Sequence, residues 1–429
     1  MVSAIFAYLT HMPHFSIDYL ILPFLFITLY FESFLLVTFL SSPARKGRER
    51  VAITDKTPTV AMLVPCFNEE KTIGGTVDSL LALDYPKDKL QIILIDDGST
   101  DGTAAVMDAY IGNPQIKVIH QKNGGKFIAV NTGIVAAEDA EFVGCLDADS
   151  FAAPDALRES LSAFHSPEVG AVTAAMSVHE PKGLLEHMQN AEYIFGITLR
   201  HIIASVNGLY VIPGPFSLYR RQLIIDLGGF RKGHQTEDLE MALRMQRAGK
   251  IIENAPRARV YTKTPRSVPK LVKQRARWTS GFLRNVLYDY SDLIGNPKYG
   301  ALGMLVLPLG ILAIISGILV FFVLIFETVS QIINTIVIQS GVPLSYMLIP
   351  HNLHFIQWFY LPISIVVLLG IILTSTTFVL MFIGKSISKT PSSLFIGIVA
   401  YLFLYGLIAP LWLMRAVTDV ATGTHRAWR

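Results

Sequence analysis

Charge is what this chain of 429 residues most lacks: 16% of its residues are Asp, Glu, Lys or Arg, against 52% hydrophobic, and the mean hydropathy is +0.46. That balance excludes an ordinary soluble enzyme and points to a membrane protein. Cysteine is also scarce. Cys66 and Cys145 both lie in apolar stretches, which excludes a disulfide framework or a cysteine metal site and assigns both to the core. Residues 1–16 contain no Lys or Arg, so the apolar run that follows lacks the basic flank of a cleaved signal peptide, and it is also too long for one. It reads as a retained anchor. The net charge of +3 says little, and nucleic acid is not an expected partner.

What is abundant is long apolar segments. A bilayer core needs about 20 apolar residues in a helix, and four segments qualify: Ile17 to Leu40, Leu302 to Phe326, Ile356 to Ile383 and Leu394 to Met414. A further stretch, Ile332 to Ile349, is interrupted by Asn334, Gln339, Gly341 and Pro343 and reads as a fifth span, a re-entrant piece or an outer loop. Arg45, Lys46, Arg48 and Arg50 follow the first span, which by the positive-inside rule places residues 41–300 in the cytoplasm. Arg415, Arg426 and Arg429 ask for a cytoplasmic tail as well, which four crossings do not give and five would. The expected organisation is an anchor over 1–45, a cytoplasmic catalytic domain over 46–262, amphipathic interface helices over 263–300 and a membrane region over 301–429.

From Val60 to Leu146 apolar runs alternate with helical patterns, as in a mostly parallel sheet flanked by helices. Val60–Val64, Gln91–Ile95, Ile116–Ile119 and Phe142–Leu146 read as strands; Glu70–Leu83, Thr103–Tyr110 and Lys126–Ala137 read as helices. In such α/β folds ligands bind beyond the carboxyl ends of the strands, where the strand order reverses. Two acidic motifs occupy those ends: Asp96-Asp97-Gly98-Ser99 after the second strand and Asp147-Ala148-Asp149 after the fourth.

Asp147 and Asp149 point the same way from an extended chain and suit an oxygen-loving divalent cation that would neutralise a diphosphate leaving group. The bland alternative is a pair of solvated strand-end acids. Asp97 suits a nucleoside contact, with helix capping as its alternative, while Asp101 reads as a cap alone. Pro65, Asn68 and Glu70 end the first strand as another wall of the same pocket. Lys126 opens a helix after Asn123-Gly124-Gly125, facing phosphate or solvent. Thr236-Glu237-Asp238 opens another helix, where Asp238 is the candidate base taking the acceptor hydroxyl's proton and Glu237 orients the loop; the alternative is an ordinary cap. Gln274-Arg275-Ala276-Arg277-Trp278 lies in a segment with Val268, Leu271, Val272, Phe282, Val286 and Tyr290 at helical spacing, an amphipathic helix at the membrane interface. Nine Lys and Arg residues fall between Arg257 and Arg284, matching lipid headgroups, diphosphate or both. Arg277 has the geometry for diphosphate, and Trp278 suits a terminal sugar or a headgroup anchor.

The order Asp-Asp-Gly, Asp-x-Asp, Thr-Glu-Asp and Gln-x-x-Arg-Trp between membrane spans resembles the processive family 2 glycosyltransferases, which make cellulose, chitin, hyaluronan and poly-β-1,6-N-acetylglucosamine. The resemblance covers residues 58–290 and implies an α/β GT-A nucleotide-sugar-binding domain inserted between transmembrane helices. It further implies an inverting mechanism, Mg²⁺ or Mn²⁺, a UDP-sugar donor and a growing polysaccharide acceptor. Carried over by position, Asp97 contacts the nucleoside, Asp147 and Asp149 handle nucleotide and metal, Asp238 is the base, and Gln274, Arg277 and Trp278 form the diphosphate and acceptor platform. Gly214-Pro215-Phe216 resembles the acceptor segment, although Pro215 stands where a small residue is common. Compact size and Thr-Glu-Asp in place of Gly-Asp-Asp bring the poly-N-acetylglucosamine synthases nearest, with the bilayer and a small membrane accessory subunit as further partners to consider. Glu32, inside the first span, is either a channel-lining group or a bundle hydrogen bond; Trp358, Phe359, Tyr360, Tyr401, Tyr405 and Trp412 suit a sugar channel or interfacial belts. Three readings compete: a processive synthase, a transferase adding one sugar to a lipid or short acceptor, and a nucleotide-binding transporter or scaffold.

Overall fold

The computed structural model describes residues 18–41, 57–339 and 365–424. The basic run Arg45 to Arg50, residues 340–364 with Trp358, Phe359 and Tyr360, and Arg426 and Arg429 lie outside the described residues. The chain forms two compact units, Met1–Phe34 with Leu312–Thr377 and Leu35–Ile311 with Phe378–Arg429.

The second unit holds one eight-stranded sheet: β1 (Val60–Cys66), β2 (Leu90–Asp96), β3 (Ile116–His120), β4 (Phe142–Cys145), β5 (Ser150–Ala152), β6 (Val169–Val178), β7 (Ser217–Arg220) and β8 (Ile251–Thr262), in the order β3-β2-β1-β4-β7-β6-β8-β5. The expected strands are β1 to β4, and they pair in parallel. Every residue of β1 except Pro65 is buried, the continuous apolar run of a parallel strand covered on both faces. Helices Ile73–Leu81, Thr103–Asp108 and Lys126–Ala136 connect them. The chain runs outward from β1 to β3 and then returns to place β4 on the other side of β1, so the crevice of such a fold opens between β1 and β4. Cys66 and Cys145 are both buried and unpaired, as core residues.

The other half of the sheet is mixed. β7 runs antiparallel to β4 and β6, β6 and β8 are parallel, and β5 closes the edge antiparallel to β8. The helix Leu184–Ser205 lies between β6 and β7 in sequence, and Glu237–Arg247 leads into β8.

Among the described residues four helices are long and apolar enough to cross a membrane: Ile21–Ser41, Leu302–Asn334, Ile365–Ser388 and Phe395–Ala421. They match the four expected spans. Of the stretch Ile332 to Ile349, read as a fifth span, a re-entrant piece or an outer loop, residues 332–339 continue the helix Leu307–Gln339, and residues 340–349 lie outside the described residues. Within the first unit, Glu32 is buried and accepts a hydrogen bond from Thr377 Oγ1 at 2.9 Å, which is the bundle contact weighed above, while its Oε2 has no partner.

The helix Val268–Arg284 carries Gln274 to Trp278. Its apolar face is not left for lipid alone: Leu271 and Ala276 pack with Met188, Ala400, Ile408, Ala409 and Trp412. Arg284 also donates to the carbonyl oxygens of Asp419 and Thr424.

Candidate active site

The carboxyl ends of β1, β2 and β4 converge as the motif positions require. On the β1 side, Asn68 Oδ1 accepts the Thr100 amide at 2.8 Å and Glu70 accepts the Gly102 amide at 2.9 Å. These bonds fasten the loop after β1 to the turn after β2. Asn68 adopts a φ of 58°, a left-handed conformation that Asn tolerates better than most residues. Pro65 sits opposite Ile95 in the β1–β2 ladder. Asp101 accepts the Thr103 amide at 3.0 Å, the local capping contact expected of it.

Asp97 is buried, and its oxygens accept from Gln121 Nε2 at 2.7 Å, the Gly124 amide at 2.9 Å and the Gly125 amide at 2.8 Å. It therefore shapes the loop that delivers Lys126. Beside it, Asp96 accepts from the Ser99 amide at 2.9 Å and pairs with His120 Nδ1 at 3.0 Å. Burial pushes the Asp96 carboxyl up, but the Ser99 and His120 bonds outweigh it and hold the group below its ordinary range.

Lys126 is mostly withdrawn from solvent, its side chain 18% exposed. Its Nζ lies 2.5 Å from Asp147 Oδ1 and 3.5 Å from Glu237 Oε1, so it joins the end of β4 to the start of the 237–247 helix. Burial opposes its charge, yet Asp147 and Glu237 raise its pKa well above the usual lysine value. Gly214 lies against this contact: a Cβ there would stand 2.7 Å from Lys126 Nζ and 3.0 Å from Asp147 Oδ2, so a side chain would displace the ion pair.

Asp149 and Asp238 carry the charge this cluster does not balance. Burial, then the charges of Asp147 and Glu69, push the Asp149 carboxyl up to about 7. Burial, then Glu237, push Asp238 up to about 6, opposed by Lys126, the Leu239 amide and Arg277. Thr236 does not use its side chain as a helix cap; its hydroxyl donates to the Gly233 carbonyl at 2.7 Å and accepts from Asn285 Nδ2 at 3.1 Å. His234 and Gln235 just before it have φ of 53° and 69°, strained values for such residues. Arg277 Nη1 donates to the Gln235 carbonyl at 2.9 Å and so braces this strained loop from the 268–284 helix. Gly281 lets that helix seat on Thr236, since a Cβ would fall 2.5 Å from Thr236 Oγ1. Arg277 feels Glu237, Asp238 and Asp147, although burial lowers its pKa.

Trp278 lies under the Arg275 guanidinium, 4.3 Å from ring centroid to Cζ, and Arg275 pairs with Glu192 at 2.8 Å. Gln274 Oε1 is buried without a partner. Phe216 departs from the expectation: it is fully enclosed in the sheet core with a φ of 55°, so its ring holds the turn beside Gly214 and is not presented to an acceptor. Glu69, whose charge acts on Asp149, stands in the Pro65–Glu70 segment, and Arg275 stands inside Gln274–Trp278; Glu192 and Tyr193 enter through packing of the 184–205 helix and carry no local signal in the sequence.

Among the described residues no group of three or more His, Cys, Asp or Glu side chains is gathered as a metal cage. Two aspartates of hard oxygen donors nevertheless fit a cation of the Mg²⁺ or Mn²⁺ type, which takes one or two protein carboxylates and completes its shell with phosphate and water.

Residues 58–281 match the model described as Glycosyltransferase like family 2. Over 251 residues the chain is 32% identical to a poly-beta-1,6-N-acetyl-D-glucosamine synthase of Staphylococcus aureus (strain COL), covering 57% of this chain and 60% of that protein. It is 31% identical over 243 residues to the Staphylococcus epidermidis protein of the same name, covering 56% and 58%. The chain thus matches less than two thirds of those relatives' length. The solved mannosyltransferase PcManGT from Pyrobaculum calidifontis, in complex with GDP-Man and Mn²⁺, is similar with a TM-score of 0.62 at 17% identity, over 95% of this chain and 99% of that one. The shared architecture is the GT-A fold.

Proposed function

Because the chain belongs to Glycosyltransferase like family 2, we propose that it elongates a β-linked polysaccharide from a UDP-sugar, UDP-N-acetylglucosamine first, with inversion at the anomeric carbon. The observation that carries this reading is the meeting of Asp147, Lys126, Glu237, Asp238 and Arg277 at the carboxyl ends of the strands, linked by the two Lys126 contacts and the shared charges. The relatives named as poly-N-acetylglucosamine synthases support the choice of sugar. The four apolar helices support a membrane setting, and in this reading the catalytic domain faces the cytoplasm, where nucleotide sugars are made.

In this mechanism an acceptor hydroxyl attacks the anomeric carbon while Asp238 takes its proton. The bond from that carbon to the UDP oxygen breaks, and the diphosphate leaves with the electron pair. A base held near its working pH is suited to this transfer, and the Asp238 carboxyl at about 6 is ionised and still basic at neutral pH. Asp147 and Asp149 would hold Mg²⁺ or Mn²⁺, which supplies positive charge to the departing diphosphate. Lys126 and Arg277 add fixed cations on the same side, and Asp97 holds the loop that carries Lys126. Trp278 offers its flat face to the terminal sugar of the acceptor.

The test is the full-length protein in lipid nanodiscs with Mg²⁺ or Mn²⁺ and single UDP-sugars, following UDP release and product length. Long polymer from UDP-N-acetylglucosamine is expected. One added sugar per acceptor would reduce the protein to a non-processive transferase, and no turnover with any donor would overturn the proposal.

A further inference from the structure

The loop that delivers Asp238 is held in a shape it would not keep alone. Gly233, His234 and Gln235 have φ of 49°, 53° and 69°, three successive left-handed residues where L-residues visit that region singly. The helix Glu237–Arg247 starts directly after Thr236, so whatever fixes this loop also fixes the first turn that carries Glu237 and Asp238.

The restraint comes from the end of a different helix. Val268–Arg284 runs into a π-turn over Asn285–Asp289, in which the Tyr290 amide donates to the Asn285 carbonyl five residues back at 2.8 Å. Such turns are frequent at functional sites. The Asn285 side chain is fully buried, and its Nδ2 lies 3.0 Å from the Gly233 carbonyl oxygen, 3.1 Å from Thr236 Oγ1 and 2.9 Å from the Gly281 carbonyl oxygen. Gly233 and Thr236 are the two ends of the strained loop. The Thr236 hydroxyl already donates to Gly233, so all three partners present lone pairs and only a donor fits among them. Asn285 Oδ1 is buried without a partner, a cost the fold bears while the amide is turned toward the loop. Further along the same π-turn, Asp289 Oδ2 meets His234 Nε2 at 3.0 Å.

The helix is also fixed from behind. Asp238 and Glu240 are about 200° apart around its axis and so occupy opposite faces. Glu240 is buried and accepts the Tyr290 hydroxyl at 2.5 Å and Arg244 Nη2 at 2.7 Å. We propose that Asn285 is a positioning residue for the base: through the Gly233–Thr236 loop it sets where Asp238 stands, and Tyr290 supplies a second hold through Glu240. This rests on the reading above that Asp238 takes the acceptor's proton.

The experiment is a double-mutant cycle on full-length protein in nanodiscs, comparing wild type, Asn285→Ala, Asp238→Asn and the double variant. Single-turnover UDP release from UDP-N-acetylglucosamine gives the transfer rate, and calorimetry gives UDP affinity. Asn285→Ala should slow transfer by roughly 10- to 10²-fold, the scale of a misplaced catalytic group, with UDP affinity within about threefold. In the Asp238→Asn background the same substitution should change the residual rate by no more than about twofold, because the group it positions is gone. Tyr290→Phe, which keeps the ring and removes one hydroxyl, should show the same pattern with a smaller fall, and it carries the comparison if Asn285→Ala does not fold. An equal loss in both backgrounds marks general damage to the fold and would overturn the assignment, as would a wild-type rate in Asn285→Ala. Product length does not enter, so an enzyme that adds a single sugar would overturn the proposed polymerisation and leave this result standing. Asp238→Asn turning over like wild type would remove the base and this inference together.

Discussion

The two halves of the sheet treat their polar groups differently. Around β3-β2-β1-β4, the side chains facing the crevice are answered by the protein's own backbone. Asp97 takes the Gly124 and Gly125 amides, Asp96 the Ser99 amide, Asn68 the Thr100 amide and Glu70 the Gly102 amide. Around the helices Leu184–Ser205 and Val268–Arg284, buried polar atoms are left over: Gln189 Oε1, Arg200 Nε and Nη2, Gln274 Oε1 and Arg275 Nε. A site for a ligand of fixed shape can be finished in advance. Under the proposed function the first set suits a donor of fixed shape, and the second offers donors and acceptors that a carbohydrate acceptor would complete. Asp147, Asp149 and Asp238 stand at the seam between the two halves, and two of them keep raised pKa values.

The largest expected effect breaks the seam. Asp238→Asn keeps the shape and removes the base, so transfer should fall by roughly 10²- to 10⁴-fold while UDP affinity stays within a few-fold. Turnover near wild type would dismiss Asp238 as the base. The same substitution should raise thermal stability at neutral pH. The folded-state pKa of about 6 lies above the ordinary aspartate value of 3.8, so the folded protein holds this proton longer than the unfolded chain. The associated stability is complete below about 4 and is lost as pH rises through about 6. Removing the charge should therefore raise the melting temperature by a few degrees at pH 7, measured by differential scanning fluorimetry.

A smaller effect follows from the same group in the wild type. The base must be ionised, so kcat should rise with pH through about 6 and then level. The Asp238→Asn variant's residual rate should lack that limb. A wild-type profile flat from pH 5 to 8 would show that a different group limits the proton transfer.

The contrast between the halves also explains what could be read without coordinates. β1, β2 and β4 were legible because a buried parallel strand is a near-continuous apolar run, and acidic motifs at such ends have one place to go, while the half-buried edge strand β3 shows only as a short alternation of Ile and Val. β6 and β8 were not: β6 is buried along its whole length, but its partners come from residues up to about 80 positions away, and no local period encodes that pairing. Lys126 could not be separated from a solvated lysine, because its partner Glu237 lies more than 100 residues on. Phe216 was misread for a related reason. Its neighbours in sequence are acceptor-like, whereas its contacts are core. Spans were legible by composition alone, although composition did not reveal that the second helix runs on through Gln339.

The smallest effect tests whether the donor half is as finished as its hydrogen bonds indicate. Asp97→Asn retains an acceptor for one glycine amide but turns an NH₂ toward the other, and it removes the charge that strengthens both bonds. The expected cost is about 1–3 kcal/mol of stability, with the 121–125 loop less firmly held. UDP affinity should fall by about tenfold, because the loop must then be ordered by the ligand. At saturating donor the transfer rate should change by less than a few-fold, since Asp238 and its proton are untouched. Calorimetry of UDP binding beside steady-state kinetics separates the two quantities. A rate that falls as steeply as the affinity would mean that Asp97 acts on the transfer step as well, and that the donor half is not a passive, preformed cradle.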